Sequence, residues 1–105
     1  MTTIVVLFNL RPEVAPETYE AWAKRTDLPL VRAQGSVAGF DVLRSQGLLG
    51  SDAKAPYAYI ELIRVNDMAR FGSDISAPAM QAVASEFQTF ADNPVFILTG
   101  SIEQE

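Results

Sequence analysis

Glu61 is the residue whose type and position most strongly suggest chemistry. It lies within Tyr59-Ile60-Glu61-Leu62-Ile63, a run with the composition of a β-strand. A carboxylate in such a strand is expected to form an ion pair or to have a function, because burying an unpaired charge costs free energy. Burial without a cation would raise the pKa of Glu61 and suit it to general acid or base catalysis near neutral pH. The structural alternative is a salt bridge with Arg44 on the neighbouring strand, and both interpretations stay open.

Asp27 is the second carboxylate that could take part in catalysis. It precedes a short segment with Pro29 in its first turn, so its side chain could serve only as a helix N-cap. As a second carboxylate close to Arg32, it could instead orient or protonate a substrate. Arg32 either binds an anionic group through its planar guanidinium or lies on the solvent side. Asp27 and Arg32 therefore stand as candidate catalytic and substrate-binding residues, respectively.

Three further side chains are candidates for positioning a substrate. Asn9 interrupts an apolar strand near its end, and its amide needs partners, which are either neighbouring backbone groups or a ligand. Tyr59 projects to the same side as Glu61 and either donates a hydrogen bond to a flat ligand or lies in a dimer interface. Trp22 either forms a wall of a cleft that also contains Glu61 or packs in the core. Whether Asn9 and Glu61 share one face depends on a strand register that the sequence does not determine.

Composition excludes several classes of chemistry. The 105-residue chain has no His and no Cys, which rules out Ser-His-Asp and Cys-His nucleophiles and a zinc site of nitrogen and sulfur ligands. The net charge is −5, with no basic stripe for nucleic acid. No apolar run approaches the roughly 20 residues of a membrane span. We therefore expect no nucleic-acid or membrane partner, and a cytoplasmic location. A carboxylate metal site remains possible, although no metal-binding motif is present.

The elements that must position these residues follow from periodicity. A strand with apolar residues on both faces is followed by a helix that begins at Pro16 and buries Tyr19, Trp22 and Ala23. The longest helix begins after Ser76 and carries an apolar stripe of Met80, Val83, Ala84 and Phe87. The predicted strands are 4–10, 40–45, 57–65 and 95–99, and the predicted helical segments are 16–25, 26–33, a turn at 68–71 closed by Gly72, and 76–91.

This order predicts one α+β domain over residues 1–105 with the ferredoxin-like βαββαβ arrangement, in which helices cover one face of a four-stranded antiparallel sheet. The first and last strands carry large apolar residues on both faces. Exposing the second face would forfeit roughly 1.5–3 kcal/mol for each large side chain. The sequence therefore predicts a homodimer in which two sheets pack face to face, with the loop residues Leu48 and Leu49 reaching over the partner.

The chain resembles the small RedY-like (HapK-type) proteins associated with prodigiosin-type and related pyrrole or indole pigment pathways, which are members of the dimeric α/β-barrel superfamily. Four stretches carry the resemblance: Val5-Val6-Leu7-Phe8-Asn9-Leu10, Trp22-Ala23-Lys24-Arg25-Thr26-Asp27-Leu28-Pro29, Gly47-Leu48-Leu49-Gly50-Ser51, and Glu86-Phe87-Gln88-Thr89-Phe90-Ala91-Asp92-Asn93-Pro94. The resemblance implies a dimeric barrel, no organic cofactor, and a hydrophobic cleft between sheet and helices suited to an aromatic intermediate.

Three functions are consistent with these residues. The first is a cofactor-free cyclase or dehydratase acting on a pyrrole- or indole-derived intermediate. In it, Glu61 is the first choice for proton transfer and Asp27 the second, while Asn9, Tyr59 and Arg32 position the substrate. The second is a cofactor-independent monooxygenase with similar proton-transfer demands. The third is a non-catalytic carrier or assembly protein that shields the intermediate.

Overall fold

Strand β1 (Thr2–Leu10) is a central strand of the sheet, as its apolar residues on both faces predict. The computed structural model describes residues 1–104. Around β1 the chain forms these elements in order: α1 (Pro16–Trp22), a π-helical turn (Ala23–Asp27), α2 (Leu28–Arg32), β2 (Val37–Arg44), β3 (Tyr59–Val65), α3 (Met68–Ile75), α4 (Pro78–Phe90), β4 (Ala91–Gly100) and a 3₁₀ turn (Ile102–Gln104).

The sheet has the strand order β2-β3-β1-β4, and each neighbouring pair is antiparallel. This is the ferredoxin-like α+β arrangement that the sequence predicts. Residues that pair directly across strands share a face. Val6 pairs with Glu61 and with Phe96, and Glu61 pairs in turn with Val42. These four residues therefore lie on the face that the helices cover.

The core lies between that face and the helices. Phe8 is buried at its centre, where its ring contacts those of Tyr19, Tyr59 and Phe87 at centroid distances of 5.5, 5.6 and 5.0 Å. Tyr19, Trp22 and Ala23 are all buried, which confirms the predicted inward stripe of the first helix. The aromatic cluster fixes α1 against β1 and β3, so the residues of α1 have defined positions over the sheet.

The segment between α1 and α2 differs from its prediction. The sequence predicts two separate helical segments with Asp27 as a possible N-cap of the second, but the chain stays helical through a π turn. The N–H of Leu28 bonds to the carbonyl of Ala23, five residues back. Pro29 lacks an N–H and its ring would crowd a regular α-helical turn, which accounts for the wider turn before it. Asp27 has helical dihedral angles and no capping hydrogen bond, so the N-cap interpretation is wrong.

Two other boundaries also differ. Helix α3 begins after Asp67, whose side chain accepts from the N–H of Arg70 at 3.1 Å, but it continues through Gly72 to Ile75. Strand β4 begins at Ala91, directly after α4, and not at residue 95. Its pairing with β1 shifts between Leu7 and Asn9, where Asn93 has a φ of 45° and Pro94 has no N–H to donate. The Asp-Asn-Pro sequence therefore marks a β-bulge within the strand instead of a loop before it.

The opposite face of the sheet, which we call the open face, carries two adjacent apolar rows and no helix. One row contains Leu43, Ile60, Leu7 and Val95, and the other contains Asp41, Leu62, Val5 and Ile97. Leu43, Val95 and Ile97 are exposed there. The prediction that large apolar residues occupy both faces is confirmed. Beyond β2, the tip of the 45–58 loop presents Leu49 fully to solvent.

Candidate active site

An apolar cavity of about 290 Å³ lies between the helix-facing side of the sheet and helices α2, α3 and α4. Its polar lining consists of Asp27, Glu61, Gln81 and Gln88. The remaining lining residues are apolar: Ile4, Val31, Phe40, Ile63, Phe71, Ile75, Met80, Val83, Ala84, Phe87 and Phe96. Both carboxylates that the sequence nominates for catalysis therefore face the same cavity.

Glu61 lies in the middle of β3, where its side chain points towards the helices. The residue is 5% exposed. Its Oε2 accepts a hydrogen bond from the hydroxyl of Tyr19 at 3.3 Å, and no Lys or Arg of the described chain forms an ion pair with it. Burial raises the pKa of Glu61 to about 8, with a further upward contribution from the negative charge of Asp27. Near neutral pH this carboxyl therefore holds a proton that it can donate.

The predicted salt bridge between Arg44 and Glu61 is wrong. Arg44 pairs across the sheet with Tyr59, and its guanidinium binds Glu20 of α1 through two bonds of 2.8 and 2.6 Å. Glu20 also accepts from the Tyr59 hydroxyl at 2.7 Å. These donors hold the pKa of Glu20 well below its usual range. Glu20 is thus the ionised partner of Arg44, and Glu61 is left without a cation.

Asp27 reaches the cavity from the π-helical turn. The residue is 4% exposed, and its carboxylate accepts no hydrogen bond from any described residue. Burial raises its pKa to about 7. Because a π turn rotates the residues that follow it relative to a regular α-helix, the turn before Pro29 determines where Asp27 points. The side chain predicted as either a cap or a proton-transfer group is therefore a buried carboxyl facing an apolar cavity.

The two carboxyls interact electrostatically, since the charge on Asp27 disfavours ionisation of Glu61. Such groups titrate as a pair, and one of the two keeps a proton over an intermediate pH range. Burial raises both pKa values towards neutrality, so near neutral pH the pair shares one proton. One carboxyl is then a proton acceptor and the other a proton donor, which is the combination that general acid–base catalysis requires.

Tyr19 is a site residue that sequence reasoning missed, because its place on an apolar helix stripe indicates core packing. Its ring does pack in the core, against Phe8 and Tyr59, but its hydroxyl contacts Glu61. Burial and the neighbouring carboxylates raise the pKa of Tyr19 above its usual value, so it remains a hydrogen-bond donor. The signal that could have revealed this role is that a buried tyrosine hydroxyl needs a polar partner.

Asn9 and Trp22 lie outside the cavity lining. The Asn9 side chain bonds the backbone of the loop before β3, donating to the Pro56 carbonyl at 3.1 Å and accepting from the Ala58 N–H at 2.9 Å. Trp22 Nε1 donates to Glu86 at 3.0 Å while the indole is buried. The structure thus provides a partner for the polar group of each residue. Contact of either residue with a ligand stays a prediction.

Tyr59 and Arg32 are also placed apart from the two carboxyls. Tyr59 does project to the same side of the sheet as Glu61, but its hydroxyl points to Glu20. Arg32 has a half-exposed side chain whose Nε donates to the Phe40 carbonyl at 3.0 Å and whose Nη2 lies 3.8 Å from Asp41. Arg32 therefore lies at the sheet edge and not beside Asp27. A role for either residue in substrate binding stays a prediction.

Replacing Glu61 by glutamine should change how stability depends on pH. A carboxyl whose pKa is raised by folding stabilises the native state at low pH and loses that contribution as the pH rises through the native pKa. For Glu61 this window extends from about pH 4.5 to about pH 8. Because each pKa unit corresponds to about 1.4 kcal/mol, we expect the stability of Glu61→Gln relative to the parent protein to increase by roughly 5 kcal/mol between pH 4 and pH 9. Urea unfolding across that range measures the change.

Glu20→Gln provides the matched control, because folding lowers the pKa of Glu20 where it raises that of Glu61. Loss of the Glu20 carboxylate should destabilise the protein at neutral pH. This destabilisation should become smaller as the pH falls through the range in which Glu20 becomes protonated. If Glu61→Gln and the parent protein instead keep a constant stability difference from pH 4 to pH 9, Glu61 does not have a raised pKa.

Other kinds of site are not evident in the part of the chain that the structure describes. No group of three or more acidic side chains within residues 1–104 converges in the way that metal ligands do. None of the described helices has the length and apolar character needed to cross a membrane.

Comparisons with known proteins support this description of the fold. The model of the family "REDY-like protein HapK" matches residues 2–102. The crystal structure of HapK from Hahella chejuensis is 25% identical, covers 100% of this chain and 96% of its own, and superposes with a TM-score of 0.78. SnoaB, a cofactor-independent oxygenase from Streptomyces nogalater, is 18% identical with a TM-score of 0.74 over 95% of this chain and 91% of its own.

A dimeric ferredoxin-like protein of unknown function from Thermobifida fusca is 16% identical, with a TM-score of 0.75 over 95% of this chain and 90% of its own. SnoaB and the Thermobifida fusca protein are each less than 25% identical to this chain, so their similarity to it shows only a shared fold. A search of curated proteins by sequence finds no significant match.

Proposed function

The chain belongs to the REDY-like HapK family, and from that premise we propose that it is a cofactor-free enzyme of secondary-metabolite biosynthesis. Membership of this family supports the proposal, and a solved structure named as an antibiotic biosynthesis monooxygenase shares the fold with a TM-score of 0.74. We propose that the substrate is a pyrrole- or indole-derived intermediate, as in prodigiosin-type pigment pathways, and that the reaction is a cyclisation or dehydration driven by proton transfer. The observation that supports this most strongly is the pair of buried carboxyls, Asp27 and Glu61, facing one apolar cavity.

A cyclisation with loss of water needs two proton transfers in opposite directions, and the pair can provide both. In the first step, an electron-rich ring carbon attacks a carbonyl carbon of the same molecule, Glu61 protonates the carbonyl oxygen, and Asp27 accepts the proton from the attacking carbon. In the second step, protonated Asp27 donates to the new hydroxyl, which leaves as water, while Glu61 accepts a proton from the adjacent atom. The carboxyls return to their starting states, and no electrons are exchanged with another molecule.

The cavity supports this chemistry through its surroundings. Apolar walls limit the water that reaches the two carboxyls, which strengthens the interaction of each carboxyl with developing charge and raises both pKa values towards neutrality. Enclosure also holds the two reacting ends of a flexible intermediate together, which lowers the entropic part of the barrier. Tyr19 positions Glu61 by donating to one of its oxygens.

We further propose that the functional unit is a homodimer in which two open faces pack against each other. Seven large apolar residues lie in two adjacent rows on that face: Val5, Leu7, Leu43, Ile60, Leu62, Val95 and Ile97. A patch of this kind on a small domain usually marks an interface. A two-fold axis would bring the two copies of the patch together and place their helices on the outside.

Oxygenation is the second candidate, because a cofactor-independent oxygenase shares the fold over nearly the whole chain. In that reaction Asp27 would remove a proton from the substrate, and the resulting carbanion would react with O₂. Sequence and cavity chemistry separate the two reactions poorly, since both begin with a proton transfer.

Anaerobic turnover tests the proposal. We expect purified protein, stripped of metals by a chelator, to convert a pyrrole- or indole-derived intermediate that contains both a free ring carbon and a carbonyl group. The product should have lost one water by mass spectrometry, at the same rate in air and under argon. Oxygen consumption equal to product formation would favour the oxygenase. Tight binding of substrate and product without any acceleration would identify a carrier and contradict both reactions.

A further inference from the structure

The polar lining of the cavity is unusual in the sign of its charge. Its ionisable lining residues are the two acids Asp27 and Glu61, and neither Lys nor Arg of the described chain contributes to the lining. The other polar lining residues, Gln81 and Gln88, lie at exposed positions of α4. A ligand that enters the cavity therefore meets the hydrogen-bond acceptors of Asp27 and Glu61.

Those acceptors are not satisfied by the protein itself. The Asp27 residue is 4% exposed, faces the cavity and forms no hydrogen bond with a described residue, while Glu61 receives a single bond from Tyr19. No fully enclosed side-chain oxygen of the described residues lacks a partner, so the free acceptor positions of Asp27 open onto the cavity, where they have lost most of the water that solvates a carboxylate. A ligand that brings N–H donors and positive charge would restore what burial removed.

We propose that this cavity selects a planar organic cation, such as an amidinium or a protonated nitrogen heterocycle, with its N–H groups directed at Asp27 and Glu61. Planarity follows from the aromatic lining residues, Phe40, Phe71, Phe87 and Phe96, which offer ring faces and edges to a flat ligand. The two acids favour a positively charged ligand, because charge-assisted hydrogen bonds to a carboxylate are about twice as strong as neutral ones. An anion of the same shape would meet repulsion and lose its solvation without compensation.

The selection deepens the proposed function, on which it rests only in taking this cavity as the substrate site. An intermediate that carries the positive charge on a nitrogen heterocycle other than the ring that attacks the carbonyl would satisfy both requirements. One ionised acid is enough for a charge-assisted hydrogen bond, and ionisation of the second acid adds to the attraction, so binding should strengthen as the pH rises from about 6 to about 9.

Three probes of nearly identical shape test the charge preference: benzamidine, benzamide and benzoate, which are a cation, a neutral molecule and an anion throughout this pH range. We expect calorimetry at about pH 8.5 to show that benzamidine binds at least tenfold more tightly than benzamide, while benzoate does not bind measurably. Benzamidine affinity should fall at least tenfold in both Asp27→Asn and Glu61→Gln. Asp52→Asn, which removes an exposed loop carboxylate, should leave it unchanged.

Equal affinity for the three probes, or benzamidine binding that persists in both cavity variants, would overturn the proposal, the latter because it would show that the probe binds elsewhere on an acidic protein. The readout is binding and not turnover, so the two proposals can fail separately. Benzamidine binding without catalysis of any cyclisation would remove the proposed function alone. If the protein turns over a neutral substrate but does not bind benzamidine, the proposed preference for a cation is wrong and the proposed function stands.

Discussion

Turnover should fall by about 10²–10⁴-fold when Glu61 is replaced by glutamine, because general acid–base catalysis by a positioned side chain typically contributes that much. Glutamine keeps the shape of the side chain and can still accept the Tyr19 hydrogen bond. It cannot release a proton. We expect the loss to appear in kcat, with a smaller effect on KM, since the proton moves in the transition state and not on binding. Initial rates of product formation measure both constants.

Asp27→Asn should cause a loss of similar size, and the double variant should lose little more than either single variant if the two carboxyls act as one unit. Asp52→Asn is the matched control: it makes the same chemical change at an exposed position of the 45–58 loop. Rates within threefold of the parent protein for Glu61→Gln, with the control equally active, would remove Glu61 from the mechanism.

Replacing Ile97 by aspartate should convert the protein from a dimer to a monomer. Ile97 is 41% exposed on the open face and pairs with Val5 on the neighbouring strand. A two-fold interface contains each residue twice, so the variant loses the burial of two isoleucines that are each 41% exposed in the protomer, together about 1–2.5 kcal/mol, before the cost of burying carboxylates is counted. We expect the dimer dissociation constant to rise by at least about tenfold. Sedimentation velocity over a concentration series measures it.

Leu98→Asp is the control for this variant, because Leu98 is the next residue of the same strand and points to the opposite side. It pairs with Ile4 and is 67% exposed, so an aspartate there can remain in water. This control should remain dimeric. A parent protein that sediments as a monomer at micromolar concentration, or an Ile97→Asp variant as dimeric as the parent, would contradict the face-to-face packing.

The fold could be predicted from the sequence because its signals are local and agree with one another. The β-branched run of β1 and the apolar stripe of α4 each determine one element, and their order leaves few alternatives. The stripe Tyr19, Trp22 and Ala23 is buried as its spacing predicts. Even the apolar open face could be inferred, since alternate residues of a strand must point to opposite sides.

The site could be predicted only in part, because it depends on contacts between elements that are distant in sequence. Glu61 could be recognised from the sequence as a carboxylate in an apolar strand, but the sequence could not identify its hydrogen-bond partner, Tyr19. Strand register places Arg44 opposite Tyr59, and α1 brings Glu20 to Arg44 in place of Glu61. A shift of one residue in register would have reversed the faces.

Asp27 shows a second limit, at the level of local structure. Thr-Asp-Leu-Pro has the composition of a helix start, and the sequence gives no sign that the preceding helix continues into it. The π turn arises because the helix reaches Pro29 while α1 and α2 remain packed on the same sheet. Tertiary packing thus overrode a local capping signal and placed a carboxyl in the cavity.

Direct titration of the two carboxyls tests the central claim most closely. The side-chain carboxyl carbons of Asp27 and Glu61 can be followed by carbon-13 NMR and assigned through the Asp27→Asn and Glu61→Gln variants. We predict that the pair titrates with apparent pKa values near 7 and 8 in the parent protein. Titration of both groups near pH 4, as for carboxyls in water, would contradict the burial of an acid–base pair and the chemistry proposed for it.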